Sequence, residues 1–280
     1  MRRRPVRRLE IPDTQYLVAL VLGIGYLMLV SACSSTRPVI KFGLVAPFEG
    51  RYRPIGYDAI YAARLAVRER NTSGGVGNYR VELVAYDDGG DAQAATERAR
   101  QLALDPQVVA VIGHFRVDTT RAAWDVYARE ALPLIAPVIP ADALPDSPCA
   151  GCSFPAAFRT GPASQSISGS VSLEQVFAGG PASGTIFAIG APWPRDVPEA
   201  QQFIANHKTV SNGAEPGPYA WATYQAVQML FDAMAREPGG LTRRGTGAEL
   251  ARRFNAQGML PNAPEYIYRL DLQGQPVLQR

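Results

Sequence analysis

Lysine is nearly missing from this chain: Lys41 and Lys208 stand alone among 28 basic residues, so arginine carries almost all the positive charge. Histidine (2) and cysteine (3) are as scarce. No Gly-x-Ser-x-Gly elbow, no P-loop and no His-Glu-x-x-His occurs, which leaves a serine hydrolase, an NTPase and a zincin without support. A net charge of one sign is also lacking in the body of the protein. The formal +3 comes from Arg2, Arg3, Arg4, Arg7 and Arg8; past residue 32 there are 23 basic and 23 acidic residues. A neutral body argues against nucleic acid, which binds a basic face. No cofactor motif is present either. The Gly-rich Asn71–Gly77 stretch follows a helical pattern, whereas a phosphate loop follows a strand. What remains is 280 residues, 47% apolar, 19% charged and 9% aromatic, enough to bury a core. At ~150 residues per domain the length suggests roughly two domains.

The first 32 residues read as an address. The arginine cluster precedes an apolar run, Leu17–Val30, that spans about 21 Å as a helix, short of the ~30 Å hydrocarbon core. It fits a signal-peptide core better than a spanning helix. Leu29-Val-Ser-Ala-Cys33 then looks like a bacterial lipobox, in which Cys33 is lipidated and becomes the new N-terminus. An uncleaved anchor with Cys33 as a bystander is the alternative. Both readings put residues 34–280 outside the cytoplasmic membrane. The other cysteines, Cys149 and Cys152, form a CxxC preceded by Pro148 and containing Gly151. A redox pair would sit at a helix N-terminus, and a metal would need two more ligands. A local disulfide is the simplest of the three readings.

The chain past residue 38 alternates strand and helix. Val39–Ala46 and Val108–Ile112 are apolar and β-branched, as strands buried on both faces are. Tyr79–Tyr86 alternates, and Leu132–Val138 is again apolar. Helical periodicity marks Tyr57–Arg70, Ala92–Leu104, Thr119–Glu130 and Tyr219–Ala235. Asp87-Asp-Gly-Gly-Asp91 lacks the spacing of a calcium loop and reads as a turn with a helix cap. This order specifies an α/β fold built on an open parallel sheet. Ligands of such sheets bind outside the carboxyl ends of the strands, where Phe48–Ile55, Asp87–Asp91, His114–Thr119 and Val138–Asp142 fall. His114 reads as structural, not as a catalytic base. His207 reads as an exposed helix end, Trp193 as a hinge anchor, and Trp221 with Tyr224 as core packing.

Several strings, in order, carry a resemblance: Lys41-Phe-Gly-Leu-Val-Ala-Pro-Phe-Glu-Gly50, Gly56–Val67, Val81–Asp88, Val111-Ile-Gly-His114, Leu134-Ile-Ala-Pro137 and Gly217–Val227. Together they resemble the Leu/Ile/Val-type (type I) periplasmic solute-binding proteins of ABC transporters. The resemblance covers residues 39–160 and 182–235. It implies a Rossmann-like first lobe, a second lobe, a small amino-acid-like ligand between them, an ABC permease as partner, and no enzymatic activity. Hinged closure is the mechanism it implies.

Two departures stand out. Against the family, roughly 100 residues, most of a domain, are lacking between Ser164–Ser170 and Val171–Pro181. The domains expected are therefore a signal peptide (1–32), a linker (33–38), a first lobe (39–157 plus 196–264) and a truncated second lobe (158–195 plus 265–280). The resemblance also assigns ligand contacts to Phe48, Ile55, Phe115, Arg116, Val117, Asp118, Val138 and Ile139. Where the family carries hydroxyls after Gly-His, this chain has Arg116, Val117 and Asp118. Where it carries Ala-Ala-Thr, this chain has Val138, Ile139 and Pro140, and Pro140 offers no N–H. Arg116 and Asp118 either build a new polar site or pair on the surface. A lipid-anchored solute-binding protein is the leading reading. A single-lobe remnant acting as an interaction or sensory module is the alternative.

Overall fold

The computed structural model describes residues 37–140, 143–144, 154–155, 157–161, 174, 176, 182–263 and 265–279. Cys33, Cys149 and Cys152 lie outside the described residues, and with them the lipidation and the disulfide.

Five parallel strands form the main sheet: β1 (Val39–Ala46), β2 (Arg80–Asp87), β3 (Val108–Gly113), β4 (Leu134–Ala136) and β5 (Ala157–Arg159), in the order β2-β1-β3-β4-β5. All six residues of β3 are buried, as its unbroken apolar run requires. The faces of β1 show how the layers lie. Phe42 meets Phe231 edge to face at 5.9 Å, on the side of α5 (Pro218–Arg236), where α1 (Arg53–Thr72) and α6 (Arg243–Ala251) also pack. Its neighbour Gly43 faces α2 (Ala92–Leu104), and a Cβ there would stand 2.6 Å from Leu102 Cδ1. The α2 helix packs on α3 (Val117–Arg129). Asp91 caps α2 by accepting from Ala94 N–H at 2.8 Å, as the turn reading required.

The α5 helix returns from the far end of the sequence to cover the first strands. Asp58 on α1 caps it, accepting from Gly217 N–H at 2.6 Å and Ala220 N–H at 2.9 Å. Burial pushes the Asp58 carboxyl up to about 7, against the pull of the backbone N–H groups of Gly217, Ala220 and Tyr219. At the opposite end of the strands Arg243, on α6, donates to the carbonyls of Ala103, Asp105 and Val108 at 2.8–2.9 Å.

A second sheet holds β6 (Ile186–Ile189), β7 (Tyr266–Leu270) and β8 (Pro276–Leu278), antiparallel, in the order β6-β7-β8. Phe187 stacks on Tyr268 at 5.9 Å, and Trp193 packs against the same tyrosine at 4.8 Å. The Tyr268 hydroxyl accepts from Trp193 N–H at 3.0 Å and donates to Asp196 at 2.8 Å. Buried Arg159, at the end of β5, donates to the carbonyl of Leu144 at 2.8 Å and to that of Gln257.

One expectation needs correction. His207, on α4 (Gln201–Val210), is buried, not exposed: its ring lies 5.5 Å from Phe203 and 6.2 Å from Tyr61. Its polar neighbours Asn206 and Lys208 hid that. Trp221 and Tyr224 do pack against the core, on Phe203 at 5.1 and 4.8 Å, and are half-buried there.

Candidate functional site

The carboxyl ends of β1, β2 and β3 bring three loops together. Asp87 closes β2 and fixes the loop after β1, since its Oδ1 accepts from Phe48 N–H at 2.7 Å and Gly89 N–H at 2.8 Å. Gly90, with φ +71°, brings its backbone against the ring of Tyr52; a Cβ there would stand 2.8 Å from the ring. On that ring lies the guanidinium of Arg116, 3.8 Å from the centroid. Arg116 is buried and spans the site: it donates to Asp118 at 2.5 Å and to Glu174 at 2.8 Å, while its Nε has no hydrogen-bond partner among the described residues. Burial pushes the Glu174 carboxyl up, against the pull of Arg116.

Beneath this cluster the floor is polar and closed. His114, at the end of β3, is sealed from solvent, with Nδ1 2.8 Å from Asp88 Oδ2 and Nε2 3.0 Å from Tyr127 OH. Both ring nitrogens are occupied, so the ring is a strut with no free edge for substrate. Thr119 and Thr120 are also spent inward: Thr120 Oγ1 donates to the carbonyls of Arg116 and His114, and Thr119 Oγ1 to that of Arg116. Neither hydroxyl is open to a ligand.

The residues singled out from the sequence divide into two groups. Phe48, Val117 and Val138 are half-buried and Asp118 is exposed, while Arg116 holds the centre. Val138 has φ +58°, costly for a β-branched residue, and its N–H meets Thr160 Oγ1 at 3.4 Å. Ile55, Phe115 and Ile139 are sunk in the core. Sequence reasoning missed Tyr52, Glu174 and Tyr219. Tyr219, at the start of α5, packs on Phe115 at 5.8 Å, and burial, then the charges of Glu174 and Asp58, hold its hydroxyl protonated. Tyr219 lay in the Gly217–Val227 string and Tyr52 within the Phe48–Ile55 loop, though neither was singled out; nothing local marked Glu174.

Chemically the arrangement is a recognition surface. Among the described residues it combines one guanidinium, two carboxylates and aromatic rings, with no nucleophile beside a free base. Among the described residues no group of three or more His, Cys, Asp and Glu converges on a metal position, and no helix is long and apolar enough to cross a membrane.

Residues 39–172 match the family model for periplasmic binding proteins. A leucine-, isoleucine-, valine-, threonine- and alanine-binding protein of Pseudomonas aeruginosa is 32% identical over 104 residues, 37% of this chain and 28% of the relative. A Leu/Ile/Val-binding protein of Escherichia coli is 30% identical over 105 residues, 38% of this chain and again 28% of the relative. The chain thus matches these relatives over less than a third of their length. Among solved structures, an ABC transporter substrate-binding protein from Desulfitobacterium hafniense, in complex with Leu, superposes with a TM-score of 0.68 at 16% identity, over 86% of this chain and 100% of that one. A leucine-binding protein from Thermotoga maritima gives 0.65 at 14% identity, over 86% and 98%. Residues 39–172 are thus similar to periplasmic binding proteins in sequence, and the chain shares the fold of the solved substrate-binding proteins.

Proposed function

We propose that this protein is the extracytoplasmic solute-binding component of an ABC transporter, held at the membrane by lipid on Cys33 and presenting an amino-acid-like solute to a permease. The observation that carries the reading is the cluster of loops at the carboxyl edge of a parallel sheet of this family, centred on Arg116. Nothing in it is arranged for bond breaking, and the protein acts as a binder, not as an enzyme.

The solute is not held as in a Leu/Ile/Val binder. Thr119 and Thr120 are turned inward, and Arg116 already serves Asp118 and Glu174. A ligand carboxylate entering here would have to displace one of them. Each missing charge-assisted hydrogen bond costs ~1.5–3 kcal/mol, so two weaken binding roughly a hundredfold or more. Calorimetry on the detergent-extracted chain, with leucine, isoleucine and valine in turn, tests this. Weak or absent heats are expected; micromolar binding of any of the three overturns it.

A specific observation favours the second reading, a remnant kept as an interaction or sensory module. Among the described residues the second sheet has three strands against five in the first, a small opposing wall for a ligand. Retention of any small solute on purification from the native membrane, read by mass spectrometry, favours transport over the remnant. The same spectra report the anchor: a lipid mass on Cys33 at a new N-terminus is expected, and an uncut chain with a bare Cys33 removes that part of the proposal.

A further inference from the structure

Helix α5 has a second face that the carboxyl-edge site does not use. Trp221, Gln225, Gln228, Met229 and Asp232 recur at helical spacing away from the core-facing Val227, Leu230 and Phe231, and Tyr224 borders them; Trp221 and Tyr224 also lean on Phe203 of α4, at 5.1 and 4.8 Å. A solvated face would be charged; this one carries an indole, a phenol and a thioether. The stripe forms one wall of a half-open cavity of about 360 Å³, lined on the other side by Thr160, Gly190, Ala191 and Leu260. That volume lies in the ~300–1,000 Å³ range of small-molecule sites, which combine apolar walls with a few polar groups. The Trp221 and Tyr224 rings are nearly parallel, at 12°.

The charges in the wall are already spent. Asp232 accepts from Arg253 at 2.8 Å, and Arg70 stands 3.8 Å from its other oxygen. The Tyr224 hydroxyl donates to Glu69 at 2.7 Å. An anion entering the cavity would meet Asp232 and find Arg253 engaged. A cation would have to strip Asp232 from both arginines. Burying either charge without a partner is costly. The Gln225 amide, at the exposed rim, offers a donor and an acceptor side by side.

We propose that this cavity is a binding site for a small, flat, uncharged ring compound with an amide- or phenol-like edge, which stacks against Trp221 and pairs its edge with Gln225. The site is separate from the Arg116 cluster and stands whether or not the carboxyl edge binds a solute. It is tested on the full chain in detergent, with ¹⁵N-labelled tryptophan side chains followed by NMR. The three indole signals belong to Trp124, Trp193 and Trp221, and W221F assigns the last. Benzamide, benzoate and benzylammonium are titrated in turn; they share the ring and differ in charge. Saturable movement of the Trp221 signal with benzamide is expected, with both charged analogues at least tenfold weaker. Q225A, on the surface and away from the core, is expected to weaken benzamide at least fivefold. The proposal is overturned by a Trp221 signal that does not move with benzamide, by equal response to a charged analogue, or by unchanged affinity in Q225A. If W221F does not fold, Q225A and the charge series still decide.

Discussion

His114 and Asp88 are both withdrawn from solvent and hold each other across 2.8 Å, with Tyr127 on the far side of the ring. Replacing His114 with Leu fills the space but leaves a carboxylate buried without its partner. The expected loss is about 3 kcal/mol of stability, read from urea midpoints, because an orphaned buried charge keeps its full desolvation cost. H114L therefore separates a strut from a ligand contact: it should destabilise strongly at neutral pH whatever the solute does. Asp58 gives a residue-level pH signature. Its carboxyl is raised from 3.8 to about 7 in the folded chain, so the folded state binds this proton more tightly than the unfolded one. The resulting stabilisation is complete below pH ~4 and drains as pH rises through 7. D58N removes the titration and keeps one acceptor for the α5 cap. Between pH 5 and pH 8 wild type should lose stability relative to D58N, measured by urea unfolding at each pH; parallel curves would refute the assignment.

At the scale of elements, the close of β3 is the tightest point of the sheet. Gly113 has φ +126°, and a Cβ on it would stand 2.1 Å from the carbonyl oxygen of Val45 on β1. G113A should cost at least about 3 kcal/mol, through backbone strain and a forced separation of two central strands, and should show as a lowered denaturation midpoint. The same scale shows what the sequence made legible. β1 and α2 were bounded to the residue, because an apolar, β-branched run and the Asp91 cap are local signals. α1 runs four residues further toward its N-terminus than its periodicity showed, since Arg53 and Pro54 open it without apolar spacing. β4 is shorter than its apolar run, because only Leu134–Ala136 finds partners. His207 was misplaced because its burial is decided by Tyr61 and Phe203, on another helix and another turn.

At the scale of the whole molecule, the sheet edge that carries the candidate site was legible and the contacts within it were not. Open α/β topology places ligands at the carboxyl ends of strands, which needs only the order of elements. That Arg116 sits over Tyr52 and reaches Glu174 depends on chain segments 58 and more residues apart, and no spacing rule announces it. The prediction at this scale concerns binding. If Arg116 is the group that excludes Leu/Ile/Val, then R116S, which restores a hydroxyl of the kind the family uses, should gain affinity for leucine relative to wild type in the same calorimetric assay. No gain would place the obstacle in the opposing wall instead. R116S also frees Glu174 and Asp118, so circular dichroism on the variant is the control for folding.

The clamp made by Arg243 bears on the order in which this chain becomes a protein. Its guanidinium ties down carbonyls 135, 138 and 140 residues earlier, and α5 likewise arrives late to cover β1. Contacts so distant in sequence make for slow, late consolidation. A chain released only as far as its first 200 residues holds a sheet covered on that side by α1 alone, with Phe42 still waiting for Phe231. Synthesis runs forward along the chain, but the last layer over β1 is laid down by its final third.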